Sequence, residues 1–219
     1  MTKKVYIGCG AGFSGDRFDA SIPIVKEFKK ITAPKYLMFE VLAERTLAIA
    51  QQFRIKNPEE GYSPFLDSYI TPILDDCLEN NIKIISNIGA ANPLGAAKRI
   101  LEIAKRQNTR PPKIGVVIGD DLLEYMSNDE ILSSPTVEGL DFSNNKITAA
   151  NVYLGAQPIA DALEKSNKNS ETSEKRNAVI GKLQEKNLKA DLREKLNLDQ
   201  ADYTPHPNSP RFKSEDGSL

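Results

Sequence analysis

Val5-Tyr6-Ile7-Gly8-Cys9-Gly10-Ala11-Gly12-Phe13-Ser14-Gly15-Asp16-Arg17 sets an apolar run directly ahead of four glycines and an Asp-Arg pair. Such a run marks a strand that ends in a turn close to a ligand, because glycine reaches positive φ and brings backbone N–H groups near a bound anion or carbonyl. The layout recurs: the apolar runs Tyr36–Phe39, Ile82–Ile85 and Ile114–Ile118 each pass at once into polar or glycine-rich residues. Four strands whose ends face one cleft are predicted.

The intervening segments read as helices. Phe18, Ile22, Val25 and Phe28 recur at spacings of three and four, predicting a helix over Phe18 to Lys30 with Asp19 or Ser21 as its cap and Pro23 in its first turn. Lys35 to Glu40 is the second strand, and Leu42 to Ala50 is a helix-forming run. After the turn-rich stretch Asn57 to Pro64, the spacing from Phe65 to Glu79 is helical, with Pro72 delaying or kinking the helix. The strand Ile82 to Ile85, the helix Leu94 to Arg106 and the strand Lys113 to Ile118 follow. Alternating strands and helices imply right-handed crossovers, hence an α/β fold: a mostly parallel sheet with helices on both faces, Rossmann-like and three-layered. From Tyr125 to Asn145 the pattern weakens into an irregular excursion over the cleft, before a short strand at Ile147 to Asn151 and a helix at Ile159 to Glu164. Ser166 to Arg176 holds no apolar residue and reads as a solvated linker. Val179, Ile180, Leu183, Leu188, Leu192 and Leu196 form an apolar stripe of one or two helices, and the chain beyond Ala201 reads as disordered. The expected organisation is an α/β domain over 1–165 and a linker, short helices and tail over 166–219.

Composition narrows the function classes. With 219 residues and 40% hydrophobic content, the chain is long enough to bury one good core. A net charge of -1 offers no basic footprint for nucleic acid. No apolar run approaches the ~18–20 residues of a membrane helix, and the polar residues behind Lys3-Lys4 spoil a secretory segment, so the chain reads as cytoplasmic. Cys9 and Cys77 lack zinc-type spacing and read as reduced thiols. The single histidine, His206, lies between prolines in the tail, which disfavours histidine-based triads, Cys-His pairs and metal sites.

Gly10-Ala11-Gly12-Phe13-Ser14-Gly15 matches the dinucleotide pattern G-x-G-x-x-G, and Glu40 ends the next strand where a ribose-binding acid belongs. Glu40 nevertheless lies 25 residues beyond Gly15, against the usual ~20, and Asp16-Arg17 stands where the helix should open. Asp16, Glu40, Glu44, Arg45, Asp120 and Asp121 form the polar set at the predicted strand ends. Converging carboxylates suit Mg²⁺ or proton transfer, whereas singly Glu44 and Arg45 fit a solvated helix face and Asp120 or Asp121 a helix cap. Asn87 and Asn92 flank Gly89-Ala90-Ala91, a loop that suits close ligand approach and tight helix packing equally. Cys9 fits a buried filler better than a nucleophile, and Tyr153 a turn better than a catalytic phenol.

Taken together, the strings Ile7–Arg17, Leu42–Thr46, Gly61–Pro64, Asn87–Pro93, Gly119–Asp121 and Tyr153–Ile159 resemble the acyclic terpene utilisation protein A family. The resemblance runs from about Lys4 to about Leu163 and implies a role in breakdown of acyclic terpenes such as citronellol and geraniol, alongside acyl-CoA enzymes. Family members continue into a further strand with a Gly-Arg-Val motif and a long second half, so the polar turn at Ser166 implies an N-terminal portion with a different end. The expected function is action on a small organic acid or its CoA thioester. In it Gly10, Gly12, Gly15, Asn87 and Asn92 hold an oxyanion or phosphate, Arg17 or Arg45 a carboxylate, and Glu44, Glu40 or Asp120 moves a proton, with Asp16 and Asp121 beside the ligand. CoA or Mg²⁺ fits as cofactor. An NAD(P)-dependent oxidoreductase is the alternative, and a third reading is a non-catalytic homologue that pairs with itself or with a subunit supplying the missing half.

Overall fold

A computed structural model describes residues 4–136, 139, 141 and 144–168, and it is an α/β structure. The sheet is three-stranded and parallel in the order β1-β2-β3, with β1 at Tyr6–Ala11, β2 at Lys35–Phe39 and β3 at Ile82–Ser86. The helices are α1 (Ser21–Phe28), α2 (Glu44–Lys56), α3 (Leu66–Ile70), α4 (Leu74–Glu79), α5 (Pro93–Arg106), α6 (Asn128–Leu132) and α7 (Gln157–Lys168). The described residues divide between two compact units, one of 4–124 with 147–168 and another within 125–146. The second unit carries α6, capped reciprocally by Ser127 and Glu130. Among the described residues no helix is long and apolar enough to cross a membrane.

The core is built on the central strand. Leu37 and Phe39 of β2 are fully buried, with Tyr69 of α3 standing 5.6 Å from the Phe39 ring and Phe18 in turn 5.0 Å from Tyr69. Val25 and Phe28 of α1 and Leu74 and Cys77 of α4 join the same cluster. Each such side chain contributes about 1.5–3 kcal/mol on burial, so the Leu37–Phe39 face holds the helices in place. At β1 two side chains of one face stay open to solvent, Ile7 at 74% and Cys9 also exposed.

Several elements depart from the expected boundaries for local reasons. β1 does not end at Ile7 but continues through the first glycines to Ala11, and its register with β2 slips between Cys9 and Ala11. Gly10 is the extra residue of this bulge, and a Cβ there would lie 2.5 Å from the Phe39 ring. The glycine is therefore required by packing. Helix α1 starts at Ser21 rather than Phe18, with no side-chain cap: Asp19 pairs with Arg17 and the buried Ser21 hydroxyl has no partner among the described residues. Helix α2 starts at Glu44, where Thr46 Oγ1 accepts from the Ala43 N–H at 2.7 Å. The segment Phe65 to Glu79 forms two helices because Pro72, lacking an N–H, falls between α3 and α4.

The fourth strand is not formed. Residues 111–120 make no ladder with the sheet; Pro111-Pro112 donate no hydrogen bonds, and Gly115 packs on α7, where a Cβ would lie 3.1 Å from that of Ala162. The segment ends instead in one antiparallel bridge between Asp121 and Asn151, flanked by Leu122 N–H to Ala150 O at 2.8 Å and Val152 N–H to Asp120 O at 2.9 Å. The short strand expected at Ile147 to Asn151 is reduced to that bridge. Helix α7 runs to Lys168, past the expected linker start at Ser166; the leucine stripe and tail lie outside the described residues.

Gly10→Ala should lower unfolding stability by about 1–3 kcal/mol, the cost of overpacking against Phe39. Gly12→Ala, where the nearest atom to a new Cβ is 3.9 Å away, should stay within ~0.5 kcal/mol. Urea titrations of both variants would check this, and equal losses would refute the packing account.

Candidate functional site

The loop after α2 and the loop after β3 lock together. Ser63 N–H donates to Ile88 O at 2.9 Å and Ala91 N–H to Gly61 O at 2.9 Å. Gly61 has a φ of +101°, and a Cβ there would meet Arg54 Cβ at 2.7 Å, so only glycine lets this turn press against α2 beneath Arg54. Asn92 completes the lock. Its Oδ1 caps α5 by accepting from Gly95 N–H at 2.9 Å, while its Nδ2 donates to the carbonyls of Pro58 at 3.0 Å and Glu60 at 2.8 Å.

This frame positions a cleft of about 150 Å³ whose lining includes polar Arg54, Asp120, Asp121, Glu124 and Asn151 and apolar Leu94 and Ile118. Arg54 Nη1 donates to Ala91 O at 2.7 Å, but its acidic neighbours are distant: Asp121 Oδ2 at 3.5 Å and Glu124 Oε1 at 3.4 Å. Charge-assisted pairs close to about 2.7–2.9 Å, so the guanidinium is anchored by a carbonyl and only loosely neutralised. Asp121 is anchored by Leu123 N–H on Oδ1 at 3.0 Å, and Asp120 by Asn151 Nδ2 at 3.1 Å. Burial raises the Asp121 carboxyl above its ordinary range; the Leu123 N–H and Arg54 oppose this, and the charges of Glu124 and Asp120 add to it. An anchored cation, a carboxyl held toward its neutral form and an apolar wall suit a small molecule with one polar end.

Of the expected site residues, Asn92, Asp120 and Asp121 line this cleft, and the others stand elsewhere. Gly10 lies within β1 against Phe39, and Gly15 turns at φ +83°. The Gly12 and Arg17 N–H groups donate to the carboxylate of Asp16 at 3.0 and 2.8 Å and hold it below the usual range. The loop thus cradles the chain's own anion. Arg17 makes a two-pronged ion pair with Asp19, 2.8 Å on each arm. Asn87 accepts from the N–H of buried Val41 at 2.8 Å and donates to Glu40 at 2.7 Å, tying the end of β2 to the end of β3. Glu44 and Arg45 are exposed at the start of α2, with no partner among the described residues. Glu40 and Asn87 are hydrogen-bonded to each other where β2 and β3 end.

The dinucleotide pattern lacks its context: α1 opens at Ser21, not directly behind Gly15. Among the described residues no three acid, histidine or cysteine side chains converge on a metal-binding position. Sequence reasoning missed Arg54, Glu124 and Asn151. Arg54 lies on a helix read only as far as Ala50, and no local motif signals its neighbours across the fold. Tyr153 is 97% exposed. Of the two thiols, Cys9 is exposed, whereas burial and the Asp76 charge push Cys77 up to about 12.

Asn92→Ala should cost about 1–2 kcal/mol in a urea titration through the lost cap, and a neutral result would deny Asn92 its bracing role. In the native state a thiol reagent should modify Cys9 rapidly and Cys77 only on unfolding; prompt reaction of both would contradict the burial of α4.

The family model described as acyclic terpene utilisation family protein AtuA matches residues 5–168. No curated protein and no solved structure matches the chain.

Proposed function

This chain belongs to the acyclic terpene utilisation family, and from that premise we propose that it takes a small organic acid, free or as its CoA thioester, into the Arg54 cleft during breakdown of acyclic terpenes or branched chains. The observation that carries the reading is the Arg54 guanidinium, held by Ala91 O at 2.7 Å yet 3.4–3.5 Å from its acidic partners, beside the half-exposed Leu94 and Ile118. A ligand carboxyl or thioester carbonyl takes up the unused donors, and the hydrocarbon lies along the apolar wall. Of the acids considered for proton transfer, Asp120 is the one that lines the cleft; Glu40 serves to join the strands, and Glu44 stands free at the surface. In this reading the protein works in the cytoplasm on a small molecule, without nucleic acid or membrane.

A second reading, pairing with another subunit or a second copy, is favoured by one observation. Strand β1 is an edge of the described sheet, and Val5 just ahead of it and Ile7 within it are 54% and 74% exposed. An NAD(P)-dependent activity has only the glycine pattern in its favour.

A thermal-shift titration tests the leading reading. A ligand present at a hundredfold excess over its Kd adds about 2.7 kcal/mol to stability, so a short branched acid or its thioester should raise the melting temperature of the intact chain and leave that of Arg54→Ala unchanged. A cooperative melt that neither ligand moves would overturn the proposal, and an unaltered shift in Arg54→Ala would place the ligand elsewhere.

A further inference from the structure

Building on the cleft reading above, we infer that the Arg54 cleft takes a small monocarboxylic acid together with one proton, and takes it as the free acid rather than as a CoA thioester. The argument begins with charge. The lining holds one cation, Arg54, against three carboxylates, Asp120, Asp121 and Glu124. A fourth carboxylate entering beside Arg54 displaces the loose contacts of Asp121 and Glu124 and leaves like charges in proximity. Glu124, with 49% of its side chain exposed, has water to turn into; Asp121, 15% exposed and pinned by the Leu123 N–H, does not.

Asp121 is thus the group that takes the proton. Arg54 faces it from α2, and Glu124 and Asp120 face it from its own segment. Asn151 across the bridge is neutral, and the loop 87–92 contributes no titratable side chain. Burial already favours the neutral carboxyl, and an arriving carboxylate favours it further. The proton comes from solvent and is then shared between the two carboxyl groups as a hydrogen bond, while Arg54 keeps the remaining negative charge; no covalent bond is made or broken.

Charge argues against the thioester. The open cleft of about 150 Å³ has room for a five-carbon branched acid with its chain along Leu94 and Ile118. A thioester presents a neutral carbonyl where the free acid presents a carboxylate, so it gives Arg54, the one cation in the lining among the described residues, no second charge to pair with. The N-terminal end of α5, where Leu94 sits at the second helical position, adds a partial positive charge suited to one carboxylate.

The test is calorimetry on the full chain with 3-methylbutanoate and with 3-methylbutanoyl-CoA, from about pH 8 to about pH 6, where the free ligand stays ionised, in two buffers of different ionisation enthalpy. The expected result is uptake of about one proton per acid bound, with affinity rising toward tenfold per pH unit as pH falls, and at least tenfold weaker binding of the thioester. In Asp121→Asn, a permanent stand-in for the neutral carboxyl, binding should lose its pH dependence and stay tight at the alkaline end. Proton uptake near zero, a pH slope that survives in Asp121→Asn, or a thioester bound as tightly as the acid would overturn the inference. The buffer comparison on the unaltered chain decides the matter if the variant does not fold. Binding of neither probe would instead defeat the cleft reading itself, so the two failures are distinct.

Discussion

Where parallel strands end, their backbone groups lose ladder partners, and here two asparagine side chains supply replacements. Asn87 receives the N–H of Val41 just beyond β2 and fastens Glu40, while Asn92 caps α5 and holds the carbonyls of Pro58 and Glu60. Each amide offers both donor and acceptor, which an ionised carboxylate of similar reach does not. The position of Ala91 O, and so the anchor for Arg54, depends on the loop these residues hold. Their chemistry is structural, yet the cleft follows from it.

The same economy governs the glycine-rich start of the chain. Its glycines suggest a ligand, but Gly10 is needed because the Phe39 ring occupies the space of a side chain, and the Gly12 N–H points at Asp16. Packing fills the space beside Gly10, and the Asp16 carboxylate takes the Gly12 and Arg17 N–H groups. What remains at β1 is an apolar edge: exposed Val5 just ahead of it and Ile7 within it carry more hydrocarbon toward water than the interior strand β2, whose Leu37 and Phe39 are buried completely.

Electrostatics then separates the two arginine environments. Arg99 is closely paired with Asp67 and Glu102, at 2.8 and 2.7 Å, and so braces α5 against α3. Arg54 has longer ion pairs and one short bond to a neutral carbonyl, which leaves guanidinium donors open in a concave setting. A closely paired guanidinium stabilises local structure, whereas a loosely paired one retains capacity for a ligand.

Much of this was legible from residue order. The period-two burial of β2, the helical spacing of Val25 and Phe28, the proline between α3 and α4, and the strings that mark the family all lie within short windows, because alternation, helical periodicity and the missing proline N–H are local properties. The apolar run Lys113 to Ile118 shows the limit: it has the composition of a strand, but a strand exists only when a neighbour accepts its hydrogen bonds. Arg54 marks the same limit for the site. It meets Ala91, Asp121 and Glu124 across separations of 37, 67 and 70 residues, and no local pattern encodes such distances. The sequence by itself determined the α/β class, most helices and the family; the tertiary structure alone decided which polar groups share a cleft, because that depends on how hydrogen-bonded loops bring distant segments together and on which partners they have already satisfied.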